Sequence, residues 1–133
     1  MSGGENDLTG HWRGFFNYPS QFPPNPFEAD LTDRAGAISG LITQPGEFFY
    51  PPGTVLQAVV EGSRAGGELR FIKIYDDLGR PTPHYRGTVQ PGGDEVQGEW
   101  TIPGDWSGTF FMIRTGKAKA EEKRKVSEEI GAR

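Results

Sequence analysis

Lys73 is the residue with the clearest capacity for chemistry, and it lies in the fifth of several alternating stretches. If Leu69 and Phe71 face the interior of a sheet, a period of two places Lys73 there as well. The same period puts Tyr75 on that face. An ammonium group in an apolar interior requires a carboxylate, hydroxyl groups, water or an anionic ligand. In the alternative register the two isoleucines of this stretch face inward, and Lys73 lies in solvent.

A buried lysine titrates nearer to neutrality than an exposed one, which suits general-base or Schiff-base chemistry. A structural role is the competing interpretation, in which the side chain reaches the rim or hydrogen-bonds to nearby tyrosines. Other predicted inward residues at the same end as Lys73 are Tyr18, Tyr75, Tyr85, Trp100 and Trp106. We expect these side chains to line a ligand cavity.

Loop residues supply further candidates. The predicted rim aromatics are Phe22, Phe48, Phe49 and Tyr50. They either contact a ligand or cover the end of the fold and bind nothing. His84 and Glu47 are candidate acid or base groups, but no residue that would orient either side chain can be identified.

Several classes of site are excluded by residue type. The chain has no cysteine, so disulfides, thiolate metal sites and cysteine nucleophiles are excluded. His11 and His84 form no metal-ligand pattern with each other or with nearby acids. No Gly-x-Ser-x-Gly, P-loop or metalloprotease motif occurs. We expect neither a metal nor another cofactor.

The composition favours a β-protein that turns often. The chain contains 20 glycines and 11 prolines, and aromatic residues make up 12% of it. Its formal net charge of −4 argues against general binding to nucleic acid. No apolar run approaches the roughly 20 residues of a membrane-spanning helix, and the first residues do not resemble a secretory signal. A cytoplasmic protein is the default expectation.

The strand pattern predicts an all-β fold, a single eight-stranded antiparallel up-and-down barrel. Eight stretches with a period of two follow one another between Leu8 and Arg114. Closure removes the exposed edges that an open sheet would leave, and a two-sheet sandwich is the competing architecture. We expect a flexible N-terminus over 1–7, the barrel over 8–114, and a charged, helical or disordered tail over 115–133.

The connections between these strands alternate in character. Those after the second, fourth and sixth strands are short: Asp33–Gly36, Gly62–Gly67 and Pro91–Asp94. Those after the first, third and fifth are long: Ser20–Pro26, Gln44–Gly53 and Asp76–Pro83. Because a meander places its connections alternately at two ends, this pattern predicts a closed floor and an open mouth.

Gly10-His11-Trp12 on the first strand and Arg114 at the end of the last resemble a signature of the calycin superfamily, which includes lipocalins, fatty-acid-binding proteins and avidins. In lipocalins this tryptophan packs at the closed end of the barrel beneath an arginine from the last strand. The resemblance implies that Trp12 and Arg114 close the floor. A second Gly-x-Trp occurs at Gly98–Trp100, and the paired cysteines of secreted lipocalins are missing.

The stretch from Gly10 to Pro19 also resembles nitrobindin-like haem barrels. Those proteins supply a proximal histidine from late in the chain, but no histidine follows His84 here. The haem-binding role is therefore not expected.

Three functions are compatible with this sequence. The leading hypothesis is a non-enzymatic binder of a small hydrophobic or aromatic ligand, with an anionic group matching Lys73 and with Tyr75 and Tyr85 beside it. The second is a cyclase or isomerase that uses the cavity as a mould, as in allene oxide cyclase-like barrels. The third is a protein-interaction module with a filled core, acting through its rim aromatics or its tail.

Overall fold

The computed structural model describes residues 7–19, 22–46, 50–75 and 80–115. Its strands are β1 (Gly10–Asn17), β2 (Asn25–Arg34), β3 (Ala37–Pro45), β4 (Val55–Ala65), β5 (Glu68–Tyr75), β6 (His84–Val89), β7 (Glu95–Thr101) and β8 (Ser107–Arg114). Apart from Asp7 and Thr115, the predicted flexible N-terminus and charged tail lie outside the described residues. Within these ranges no helix is long and apolar enough to cross a membrane.

The eight strands form one closed barrel, in which each strand pairs antiparallel with its neighbour in sequence. β1 also pairs with β8, and Trp12 lies opposite Arg114 at that seam. The predicted eight-stranded antiparallel up-and-down barrel is therefore confirmed, and the sandwich alternative is wrong. Alternation specifies this fold because a one-residue slip would move every inward side chain to the outer face.

The core occupies the inside of the barrel and includes the end that contains the short turns, which we call the lower half. Five core side chains have no exposed surface: Leu8, Trp12, Val60, Leu69 and Val96. Each comes from the inward set that the period of two predicts. Burial of such a side chain contributes about 1.5–3 kcal/mol relative to exposure. The lower half of the barrel is thus a packed core.

Two paired glycines form a part of the barrel wall that has no room for a side chain. Gly87 of β6 pairs with Gly98 of β7. A Cβ atom at Gly98 would lie 2.0 Å from the carbonyl oxygen of Arg86, and one at Gly87 would lie 3.0 Å from the Phe110 ring. Since real Cβ atoms do not approach a backbone oxygen so closely, this wall requires glycine.

A buried ion pair fixes the turn between β2 and β3 to the turn after β4. Asp33 Oδ2 accepts hydrogen bonds from Arg64 Nε at 2.6 Å and from the Leu8 backbone N–H at 3.0 Å. Its Oδ1 accepts from the Gly36 N–H at 2.8 Å. The Asp33 side chain has no exposed surface, and that of Arg64 is 15% exposed. These donors compensate the cost of burying the carboxylate.

The two ends of the barrel differ as expected, but several boundaries shift. β2 runs from Asn25 to Arg34, so it includes the last residues of the predicted loop Ser20–Pro26 and the first residues of the predicted turn Asp33–Gly36. β4 continues through Ala65, so the predicted turn over Gly62–Gly67 shrinks to Gly66 and Gly67. β3 continues through Pro45, which places Gln44 in a strand and not in the loop where it was predicted. Both extensions follow the ladder, in which Gly62 pairs with Phe71 and Gln44 with Leu56. Hydrogen bonding to a neighbouring strand thus overrides the local turn signals of glycine and proline.

Candidate functional site

A pocket of about 500 Å³ lies at the end of the barrel that carries the long connections. This volume falls within the roughly 300–1,000 Å³ typical of small-molecule sites. The pocket is lined by Phe16, Tyr18, Phe22, Lys73, Tyr75, Arg80, Pro81, Pro83, Tyr85, Trp100, Ile102, Asp105 and Trp106. The structure therefore brings together Lys73 and every inward aromatic residue that the sequence proposed for a ligand site.

Lys73 points into the barrel from β5 and is 2% exposed. Its Nζ donates a hydrogen bond to Gln44 Oε1 over 2.8 Å. The same nitrogen lies 4.1 Å from the centre of the Phe16 ring and 4.8 Å from that of Tyr75. An amide oxygen and the negative faces of aromatic rings both stabilise an ammonium ion. The register with Lys73 outside is therefore wrong.

Gln44 is a site residue that the sequence analysis missed. It is 2% exposed, and its Nε2 has no hydrogen-bond partner among the described residues. The signal was present, because Ile38, Gly40 and Ile42 lead to Gln44 with a period of two. The amide oxygen faces Lys73, so Gln44 orients the ammonium group from behind.

The aromatic wall of the pocket is built from rings that pack on one another. Tyr18 stacks on Trp106 with a centroid separation of 5.3 Å, and Trp100 meets Trp106 edge-on at 5.6 Å. Trp100 Nε1 donates to the Asn17 carbonyl oxygen at 3.1 Å, which fixes the indole plane. Phe22 completes this group with an edge-on contact to Trp106 at 6.0 Å. Such a wall suits a flat apolar or aromatic molecule.

Tyr85 also lines the pocket. Its ring stacks on Phe71 at 4.5 Å with an interplanar angle of 4°. The Lys73 Nζ lies 5.4 Å from the centre of the Tyr85 ring. Tyr85 is thus fixed between Phe71 of the core and the ammonium group of Lys73.

Arg80 is the second cation of the pocket, and the sequence analysis did not single it out. Its guanidinium carbon lies 4.1 Å from the centre of the Tyr75 ring and 5.2 Å from that of Tyr50. Its Nη1 donates a hydrogen bond to the Tyr50 hydroxyl. Tyr50 therefore contributes by holding Arg80 and does not itself line the pocket. Arg80 lies in the predicted loop Asp76–Pro83, where local sequence gives no pattern.

The remaining acid and base candidates lie apart from this arrangement. His84 begins β6 with its side chain exposed, on the face opposite to its inward neighbour Tyr85. Glu47, Phe48 and Phe49 lie outside the described residues. Asp105 lines the pocket beside Trp106. Among the described residues, no group of three or more histidine, aspartate or glutamate side chains could hold a metal ion.

At the other end of the barrel, Arg114 lies over Trp12. Its guanidinium carbon is 4.8 Å from the centre of the Trp12 ring. Arg114 Nη1 donates to the Thr9 carbonyl oxygen at 2.8 Å, Nη2 donates to that of Gly93, and Nε lies 2.9 Å from Asp94 Oδ1. These contacts join the residue before β1 and the end of β8 to the turn between β6 and β7.

The arrangement can bind and orient a small molecule through two cations and a wall of rings. The described pocket residues supply two cations, the Asp105 carboxylate and aromatic surface. A scan against protein-family models found no match for this chain, and a search of curated proteins found no significant match.

Proposed function

We propose that this protein binds a small, largely apolar or aromatic molecule in the pocket at the mouth of the barrel, without transforming it. The observation that carries the proposal is the burial of Lys73 among rings at the inner end of that pocket. A buried positive charge at a pocket attracts a ligand with a polar or anionic group. The aromatic wall supplies the apolar surface for the rest of the ligand.

In this proposal Lys73 orients the polar end of the ligand, together with Tyr75 and Tyr85. Tyr18, Trp100 and Trp106 contact its apolar body. The contact between Trp12 and Arg114 at the opposite end supports a calycin-like barrel, with a closed floor and ligand entry from the mouth. The packed lower half and the open upper half favour a binder over a module with a filled core.

The test is calorimetric titration with 2-naphthoic acid and with its neutral analogue 2-naphthamide. Lys73→Met removes the ammonium group while keeping an unbranched side chain that is only one atom shorter. Arg70→Met is the matched control, since Arg70 lies exposed on the same strand. A hydrogen bond to a charged group is worth about 1.5–3 kcal/mol, so Lys73→Met should weaken binding of the acid roughly 10- to 100-fold.

Native mass spectrometry of protein isolated from its own host provides a second readout. A bound small molecule that is lost on denaturation, and that is lower in occupancy in Lys73→Met, would agree with the proposal. If neither naphthalene compound binds and the isolated protein carries no bound small molecule, the proposal is wrong. Equal affinities for wild type and Lys73→Met would remove Lys73 from the site.

A further inference from the structure

We propose that Arg80 is the carboxylate-binding residue of this pocket, and that the ligand class is therefore aromatic carboxylic acids. The inference rests on the proposed binding function and specifies its ligand. It depends on the hydrogen bonds and packing of the Arg80 guanidinium and not on its charge alone.

The guanidinium of Arg80 is held in place from two sides. One face lies 4.1 Å from the centre of the Tyr75 ring, and Nη1 donates to the Tyr50 hydroxyl. Tyr50 comes from the connection between β3 and β4, while Arg80 precedes β6. Stacking and hydrogen bonding thus fix the orientation of the fork before a ligand arrives, which lowers the entropy cost of binding.

The Nε edge of the Arg80 guanidinium is the one that lacks a hydrogen-bond acceptor among the described residues. Nε is buried and has no hydrogen-bond partner among the described residues. Leaving a buried donor without an acceptor costs free energy. Nε and Nη2 together form the edge on which a guanidinium binds a carboxylate through two parallel hydrogen bonds. A planar carboxylate would supply the missing acceptor once the side chains packed against this edge make room for it.

The rest of the pocket matches the other features of such a ligand. The Tyr75 ring carries both cations, with Arg80 Cζ at 4.1 Å and Lys73 Nζ at 4.8 Å from its centre. A carboxylate on Arg80 would therefore also be attracted by the ammonium of Lys73. Across the pocket, the stacked Tyr18 and Trp106 rings offer the apolar surface that an attached aromatic ring requires.

The experiment compares 2-naphthoic acid, 2-naphthamide and naphthalene-2-sulfonic acid by calorimetric titration at pH 7. Carboxylate and amide have the same shape but differ in charge and in the second acceptor. Wild type should bind the carboxylate at least tenfold more tightly than the amide. The sulfonate, which is anionic but not planar, should bind more weakly than the carboxylate.

Two substitutions separate charge from geometry. Arg80→Met should weaken binding of the carboxylate at least 30-fold and binding of the amide less than threefold. Arg80→Lys keeps the charge and loses the fork, so its affinity for the carboxylate should lie between those of wild type and Arg80→Met. Arg86→Met is the matched control, because Arg86 is an exposed arginine on the outer face of β6.

Different experimental results would contradict the carboxylate assignment and the proposed function. If Lys73→Met weakens binding but wild type binds acid and amide alike, the function stands and the carboxylate assignment is wrong. Equal losses for both compounds in Arg80→Met would show that Arg80 only shapes the pocket, which also overturns the inference. If no naphthalene compound binds to wild type, the carboxylate assignment is wrong; if the protein isolated from its host also carries no bound molecule, the proposed function is wrong as well.

Discussion

Replacing Asp33 by asparagine should destabilise the barrel more than any other single removal of a carboxylate among the described residues. Asp33 is the acceptor for Arg64, for the Leu8 N–H and for the Gly36 N–H, and its side chain has no exposed surface. The substitution keeps the shape but converts one acceptor into a donor that faces other donors. Removing one member of a buried ion pair costs about 3–5 kcal/mol.

Part of that loss is offset, because Arg64 is 15% exposed and can turn toward water. We therefore expect a loss of about 3 kcal/mol, which corresponds to a decrease in Tm of roughly 12 °C for a domain of this size. The assay is urea unfolding at pH 7, followed by tryptophan fluorescence. Asp30→Asn is the control, since Asp30 lies on the same strand with its side chain 74% exposed.

The loss of stability caused by Asp33→Asn should also depend on pH. Burial raises the pKa of Asp33, but hydrogen bonds from Arg64, Leu8 and Gly36 outweigh it and hold this pKa below its ordinary value of 3.8. The stabilisation is then present above pH 3.8 and disappears as the pH falls through the lowered pKa. The stability difference between wild type and Asp33→Asn should therefore narrow below pH 4. A loss under about 1 kcal/mol at pH 7, or a difference independent of pH, would refute this reasoning.

Two further substitutions test other parts of the fold. Burial lowers the pKa of His11, but hydrogen bonds with Asp30 and Glu28 outweigh burial and raise the pKa above 6.5. These interactions therefore stabilise the fold below pH 6.5, and this stabilisation is lost as the pH rises through the raised pKa. His11→Gln should thus cost up to about 1 kcal/mol at pH 5.5 and almost nothing at pH 9 in urea unfolding; a larger cost at high pH would contradict the assignment. Arg114→Met should lower the free energy of unfolding by about 2–4 kcal/mol in the same assay, because it leaves carbonyl oxygens at the floor without their donor. As a control, Arg13→Met should change the free energy of unfolding by less than about 0.5 kcal/mol, because Arg13 is exposed. Equal effects of these two arginine substitutions would show that Arg114 makes no special contribution at the floor.

The strands and their inward faces could be predicted from the sequence, because a half-buried strand must alternate. Lys73 shows where the pattern was ambiguous: Ile72 and Ile74 on one face compete with Leu69 and Phe71 on the other. Pairing decides the question, since Lys73 lies opposite the fully buried Val60 of β4. Alternation alone does not contain this information about neighbouring strands.

The candidate site could be predicted only where it lies on strands. Arg80 is positioned by Tyr50, which lies in the connection between β3 and β4, and by Tyr75, the last residue of β5. Such contacts between distant segments leave no periodic trace in the sequence. Gln44 was missed for a different reason: the proline and glycine that follow it gave a turn signal, although hydrogen bonding in β3 extends through Pro45.

The seam between β1 and β8 has a consequence for how this protein folds. Every other strand pair joins neighbours in sequence, but this seam brings Trp12 opposite Arg114, across almost the whole described chain. Closing so long a loop costs chain entropy before any contact compensates it, so hairpins such as β3–β4 can form early while the seam forms late. Until then β1 and β8 are both free edges that can pair with another molecule. The speed of barrel closure therefore sets how long each newly made chain is exposed to aggregation.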